Sequence, residues 1–262
     1  MVELDPLIHA FYRDRYVEDD RLVRSGHGRL EFVRTQELLR RWLPAASVVL
    51  DVGGATGVHA RWLAADGHHV TLVDPVVEHV EQAATVGTFD AEVGDARRLR
   101  QQDASVDVTL LLGPLYHLVE DADRARALSE AVRVTRPGGL VVAAAINRYG
   151  GLIEAGSNGS LTPDRLHLFT EPFTTGRGKD DPNGFTVAYF HHADELATEL
   201  TAAGLTDVEV LGVEGPAANV LQNAAADAVD NLLPAAVLAA RQVESDPNLR
   251  AAGYHYLARG TR

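Results

Sequence analysis

The 262-residue sequence predicts a doubly wound α/β fold built on a mostly parallel sheet. Three observations carry that prediction. Nearly uninterrupted apolar runs recur at 48–52, 69–74, 106–112 and 140–146, as strands covered on both faces require. Helix-compatible stretches separate them, giving the strand–helix alternation of parallel crossovers. The first run also passes through Gly53-Gly54-Ala55-Thr56-Gly57 directly into an amphipathic helix, which aims backbone N–H groups and a positive helix end at a ligand.

The elements follow in order. Residues 1–46 read as a helical N-terminal cover with apolar anchors at Tyr12, Tyr16, Leu22, Phe32, Leu38, Leu39 and Trp42, interrupted by a Gly26-His27-Gly28 loop and closed by Pro44. Strand 48–52 leads to a helix over 57–66 that Gly67 stops. Strand 69–74 precedes a helix opening at Pro75, a favoured first helical position. A short strand at 90–95, the strand at 106–112, a helix at 121–134 and a turn at Arg136-Pro137-Gly138-Gly139 deliver the strand at 140–146. Residues 148–190 break the pattern with Gly, Pro, Asp, Thr and the aromatics Phe169, Phe173, Phe185, Tyr189 and Phe190, so they read as a lid. A helix at 193–203, a strand at 208–213, a helical stretch at 217–243 and an antiparallel edge strand at 254–259 complete the chain. The domain division is therefore a cover at 1–46 and a main domain at 47–262 that carries the lid.

Composition narrows the function. With 24 Lys and Arg against 37 Asp and Glu, the formal net charge of −13 leaves no basic surplus for a phosphate backbone, so no nucleic-acid partner is expected. The absence of cysteine excludes thiolate chemistry and disulfides. No apolar run approaches membrane-spanning length and the N-terminus lacks a signal core, so a soluble, cytoplasmic protein is expected.

The glycine turn has a definite spacing. A dinucleotide fingerprint read from Gly53 would need glycines where Ala55 and Val58 stand. An acid-x-Gly-x-Gly-x-Gly spacing fits better, with Asp51, Gly53 and Gly57 in place and Ala55 at the middle position. Strand 69–74 ends in Asp74, Gly94-Asp95-Ala96 follows, then Asp107 to Gly113 and Arg136-Pro137-Gly138-Gly139-Leu140. In this order and context, the five motifs resemble the class I S-adenosylmethionine-dependent methyltransferases over roughly residues 47–146.

The resemblance implies a Rossmann-like, seven-stranded sheet and S-adenosyl-L-methionine as cofactor. It implies a cofactor site made of Asp51, Gly53, Gly54, Gly57, Asp74, Pro75, Asp95, Ala96, Leu112 and Gly113, with Asp74 on the ribose hydroxyls and Asp95 on the adenine amine. Tyr16 of the cover is a further candidate, closing over the methionine end or packing the core. The segment Leu111 to Leu118 looks like the small-molecule members of the family, which implies methyl transfer to nitrogen or oxygen of a small acceptor, as in bacterial secondary metabolism. Tyr116 and His117, just past the fourth strand, either orient or deprotonate that acceptor or pack beneath the cofactor. His191-His192 reads as a helix cap, since adjacent histidines without a further ligand set do not make a metal site, and no metal is expected. A monomer or homodimer fits equally. Two other readings stay open: an NAD-dependent oxidoreductase using the same acid on its ribose, and a non-catalytic S-adenosylmethionine-binding protein.

Overall fold

Five parallel strands form the centre of the sheet: β1 (Val48–Val52), β2 (His69–Asp74), β3 (Asp90–Val93), β4 (Val106–Leu111) and β5 (Thr135–Asn147). The computed structural model describes residues 6–11, 22, 25–181 and 185–262. The parallel strands lie in the order β3-β2-β1-β4-β5, with Asp51 opposite both Leu72 and Leu110. The order reverses between β1 and β4, and the carboxyl ends there form the crevice in which doubly wound sheets bind ligands.

Period-two alternation builds a core on each face of the sheet. Leu50, Leu111, Val141 and Tyr256 pack on one side with Leu128 and Leu196. Their neighbours Val49, Leu110, Val142 and Leu257 pack on the other, against Leu38, Leu39 and Leu63. Both faces are covered, which is why these strands read as continuous apolar runs.

Beyond β5 the sheet is completed by β9 (His255–Thr261), antiparallel to β5, and β8 (Thr206–Gly212), antiparallel to β9. The last strand is thus an interior strand and not the edge strand expected. Its alternating buried positions serve two neighbours, and β8 is the edge.

The expected lid is more regular than its composition suggests. It holds helices Gly150–Ser157 and His167–Thr175, then the pair β6 (Arg177–Gly178) and β7 (Ala188–His191). Pro172 inside the second helix and Gly176 closing it at φ +77° had masked the helical pattern. Ile146 pairs with Phe190 of β7 on one edge and with His255 on the other. β7 therefore continues the edge that β4 leaves.

Three further expectations change. Gly26-His27-Gly28 is no loop but the first turn of helix Gly26–Trp42, capped by Ser25, whose Oγ accepts from Gly28 N at 3.1 Å. Gly26 is required because a Cβ there would meet Leu221 O at 2.5 Å. Pro75 is not the first helical residue; the helix runs Val77–Ala84, because Val76 N donates instead to Asp74 Oδ1. The stretch at 217–243 divides into Ala218–Gln222 and Ala226–Val243. Tyr12 and Tyr16 lie outside the described residues.

Candidate active site

β1 ends in the glycine turn, and the turn is anchored to β2. Gly53 N donates to Val73 O at 2.7 Å, and Ala55 N donates to Asp74 Oδ2 at 2.9 Å. Gly53 adopts φ +73°, and a Cβ there would meet the Pro114 ring at 2.8 Å. At Gly54 a Cβ would press on Asp51 Oδ2 at 2.7 Å. Ala55, at the middle position of the spacing, is held at φ +47°, a left-handed conformation that disfavours a side chain. Gly57 stands behind the turn as the residue before helix Val58–Ala65, packed on Phe89 and away from the cleft lining.

The other residues expected at the cofactor line one cleft: Asp51, Gly53, Gly54, Asp74, Pro75, Asp95, Ala96, Leu112 and Gly113. Tyr16 cannot be placed, as it lies outside the described residues. Ile8 and Leu22 of the cover close over the same cleft, which is narrow, about 140 Å³.

Three acids define the cleft's electrostatics. Asp51 is 1% exposed, and neither of its carboxylate oxygens has a hydrogen-bond partner among the described residues. Burial, and secondarily the charge of Asp74, push its carboxyl up to about 7. Asp74 accepts from Val76 N and Ala55 N, one bond on each oxygen at 2.9 Å, with His79 Nδ1 at 3.4 Å. Asp95 accepts from Arg97, through its backbone N at 2.8 Å and its guanidinium at 2.7 and 3.0 Å, while Arg97 also reaches Asp123 at 2.9 Å. Arg97 was not singled out in the sequence, where it is one of a basic run.

Tyr116 and His117 lie on the short helix Pro114–His117 that opens at the end of β4. Both face the cleft. His117 stacks on Phe185 at 5.8 Å and bonds to the Val187 backbone, and its burial lowers its pKa to about 4. The imidazole is therefore neutral near pH 7. Phe185 also contacts Tyr116 at 6.4 Å and Phe11 at 5.4 Å, so three distant segments of the chain meet in one aromatic wall.

Behind that wall lies a second cavity of about 1170 Å³, lined by Phe11, Tyr116, Phe169, Phe185, Phe190 and Tyr254 among others. His192 begins helix Ala193–Ala202, its N–H donating to Glu195 Oε2 at 2.9 Å, and buried His191 bonds Glu199 at 3.2 Å. Neither histidine lines either cavity. Glu31, Glu214 and His255 form a cluster that sequence reasoning missed, since they come from three distant segments with no shared spacing.

Comparison with known proteins agrees with this geometry. Residues 49–139 match the family model described as a methyltransferase domain. An uncharacterized methyltransferase of Mycobacterium tuberculosis is 39% identical over 143 residues, covering 51% of this chain and 56% of that protein. A ubiquinone biosynthesis O-methyltransferase of Methylocella silvestris is 29% identical over 151 residues, 56% of this chain and 54% of that one. The chain thus spans a little over half the length of these relatives. Among solved structures, a methyltransferase of Thermotoga maritima described as a possible histamine N-methyltransferase superposes with TM-score 0.59 at 18% identity, covering 97% of this chain and 98% of that one. Residues 49–139 thus match a methyltransferase domain, and the chain shares its fold with solved structures described as S-adenosylmethionine-dependent methyltransferases.

Proposed function

We propose that the protein transfers a methyl group from S-adenosyl-L-methionine to nitrogen or oxygen of a small molecule. One observation carries the reading: Asp51, buried at the crevice with two unpartnered oxygens, sits beside a glycine turn and two further acids. A buried carboxylate in that state calls for a cation. The methionine ammonium of the cofactor supplies one, so the residues present fit it. Asp74 and Asp95 each keep lone pairs beyond the bonds they already accept, which suits ribose hydroxyls and an adenine amine. Pro75, Ala96, Leu112 and Gly113 form the walls.

When bound, the cofactor supplies an activated methyl and a neutral leaving group. The protein's task is then alignment and exclusion of water. The aromatic wall of Tyr116, His117 and Phe185 does both, and His117, neutral near pH 7, orients the acceptor by hydrogen bonding. The larger second cavity suits the acceptor.

Calorimetric titration with S-adenosylhomocysteine tests the reading. Binding is expected, with Asp74→Ala weakening it roughly ten- to hundredfold through loss of charge-assisted hydrogen bonds. Mass spectrometry of an amine and phenol panel then tests for one added methyl. No binding of S-adenosylhomocysteine to the wild-type protein overturns the reading.

A further inference from the structure

A carboxylate–imidazole pair stands where the two cavities meet. Among the described residues, Tyr116 and His255 are the two that line both. His255 begins β9, and its Nδ1 lies 2.5 Å from Glu214 Oε1 and 3.7 Å from Glu31 Oε2. Glu214 is fully buried, and its Oε2 accepts the backbone N–H groups of Tyr254 at 3.1 Å and His255 at 3.0 Å. These two bonds fix the carboxylate, and the carboxylate fixes the ring. An imidazole nitrogen this close to a carboxylate carries a proton, so Nε2, across the ring, is the basic atom.

We propose that Glu214 and His255 form the proton-accepting dyad for a phenolic hydroxyl held in the second cavity. The proposal deepens the methyl-transfer reading and rests on it. A phenol suits the site on two counts. Its ring matches the wall of Phe11, Tyr116 and Phe185, which borders the same junction. Its hydroxyl is a poor nucleophile until the proton leaves, which is the service a positioned base performs.

The transfer balances as follows. The acceptor oxygen forms its bond to the methyl carbon as the carbon–sulfur bond breaks, and that bond's electron pair stays on sulfur. The hydroxyl proton passes to His255 Nε2. Glu214 and Glu31 both face Nδ1 of the resulting imidazolium, and their charges stabilise it from that side. Among the described residues, the charged groups against the ring include Glu31 from helix Gly26–Trp42 and Glu214 from the turn after β8. His255 is thus the catalytic residue, and Glu214 positions it.

The test uses the full-length protein loaded with S-adenosylhomocysteine, with 4-nitrophenol as the probe because its ionised form is coloured. The wild-type complex is expected to bind the probe as phenolate at a pH where the free probe is mostly neutral. His255→Gln, measured at saturating S-adenosylhomocysteine, should reduce the ionised fraction of probe at least tenfold, and Glu214→Gln should reduce it by a smaller factor. Nitrogen-15 NMR of the wild-type imidazole should report the Nδ1–H tautomer, a readout that survives even if both variants unfold. A colourless probe in the wild-type complex, no probe binding, the Nε2–H tautomer, or unchanged ionisation in folded His255→Gln overturns the dyad. So does a divalent metal bound at Glu31, Glu214 and His255, detected by elemental analysis and removed by chelation with loss of the colour. Failure to bind S-adenosylhomocysteine is a different result: it sinks the methyl-transfer reading beneath the proposal.

Discussion

Asp51→Asn should make the ligand-free protein more stable and the cofactor weaker-binding. The carboxyl has an ordinary value of 3.8 and is pushed to about 7, by burial first and the charge of Asp74 second. Below about pH 4 it is neutral in folded and unfolded chains alike. As pH rises toward 7 the unfolded chain releases the proton while the folded one keeps it, so folding is opposed progressively. At about 1.4 kcal/mol per pH unit, the rise amounts to roughly 4 kcal/mol withheld from the folded state above pH 7. About 2.5 kcal/mol of this develops between pH 5 and pH 8. Asparagine has nearly the same shape and never ionises. Urea unfolding of both proteins at the two pH values isolates Asp51 together with its coupling to Asp74, because titrating groups not coupled to Asp51 cancel in the difference. The stability advantage of the variant should grow by about 2.5 kcal/mol from pH 5 to pH 8. Affinity for S-adenosylhomocysteine should fall by roughly one to two orders of magnitude, as expected for loss of a hydrogen bond to a charged group. An advantage that stays constant across this range would refute the account of Asp51 as a carboxyl strained by burial.

Two other substitutions probe the same neighbourhood. Ala55→Gly should stabilise the protein by about 0.5–1 kcal/mol, because relief of the left-handed Ala55 backbone outweighs the extra entropy of glycine in the unfolded chain; lower stability in a denaturation series would show the turn to be unstrained. His117 opposes folding in acid, since its pKa falls from 6.5 to about 4: stability is full above 6.5 and is lost as pH drops toward 4. His117→Gln should flatten that loss by up to roughly 3 kcal/mol, and an acid limb identical to wild type would contradict it.

What the sequence discloses is what short-range chemistry determines. The turn at Gly53–Gly57 is legible because strand, glycines and helix follow one another within ten residues, and each rule acts locally. The β5 run is legible because both faces of it are covered. Gly26 misleads because glycine signals a loop unless a close neighbour demands it, and that neighbour, Leu221, lies almost two hundred residues away. β9 misleads in the same way, since period-two alternation reveals a strand but not how many strands pair with it. Tyr116 and His117 were found as candidates because they follow β4 directly. Glu31, Glu214 and His255 were not, because only the fold brings a cover helix, a turn after β8 and the start of β9 together.

These acids also explain why local rules fail where they do. A chain selected for stability alone would not bury Asp51 without partners, nor hold Ala55 in a left-handed turn beside it. Asp51 near the end of β1 and Ala55 in the turn behind it stand at the point where the strand order reverses; Ala46, Ala104 and Asp207 are left-handed elsewhere, so the unpartnered carboxylate is the mark of this place. Elsewhere the buried charges are compensated: Arg34 is paired with Glu37 and Glu244, and Arg124 with Glu199 at 2.8 Å. The deficit is therefore local to the crevice, and a cation arriving there gains what folding left unsatisfied. Ligand binding of this kind stabilises by mass action, about 2.7 kcal/mol at a hundredfold excess over Kd, comparable to the penalty that Asp51 imposes. The unpartnered carboxylate is thus better understood as half of an ion pair whose other half belongs to the ligand.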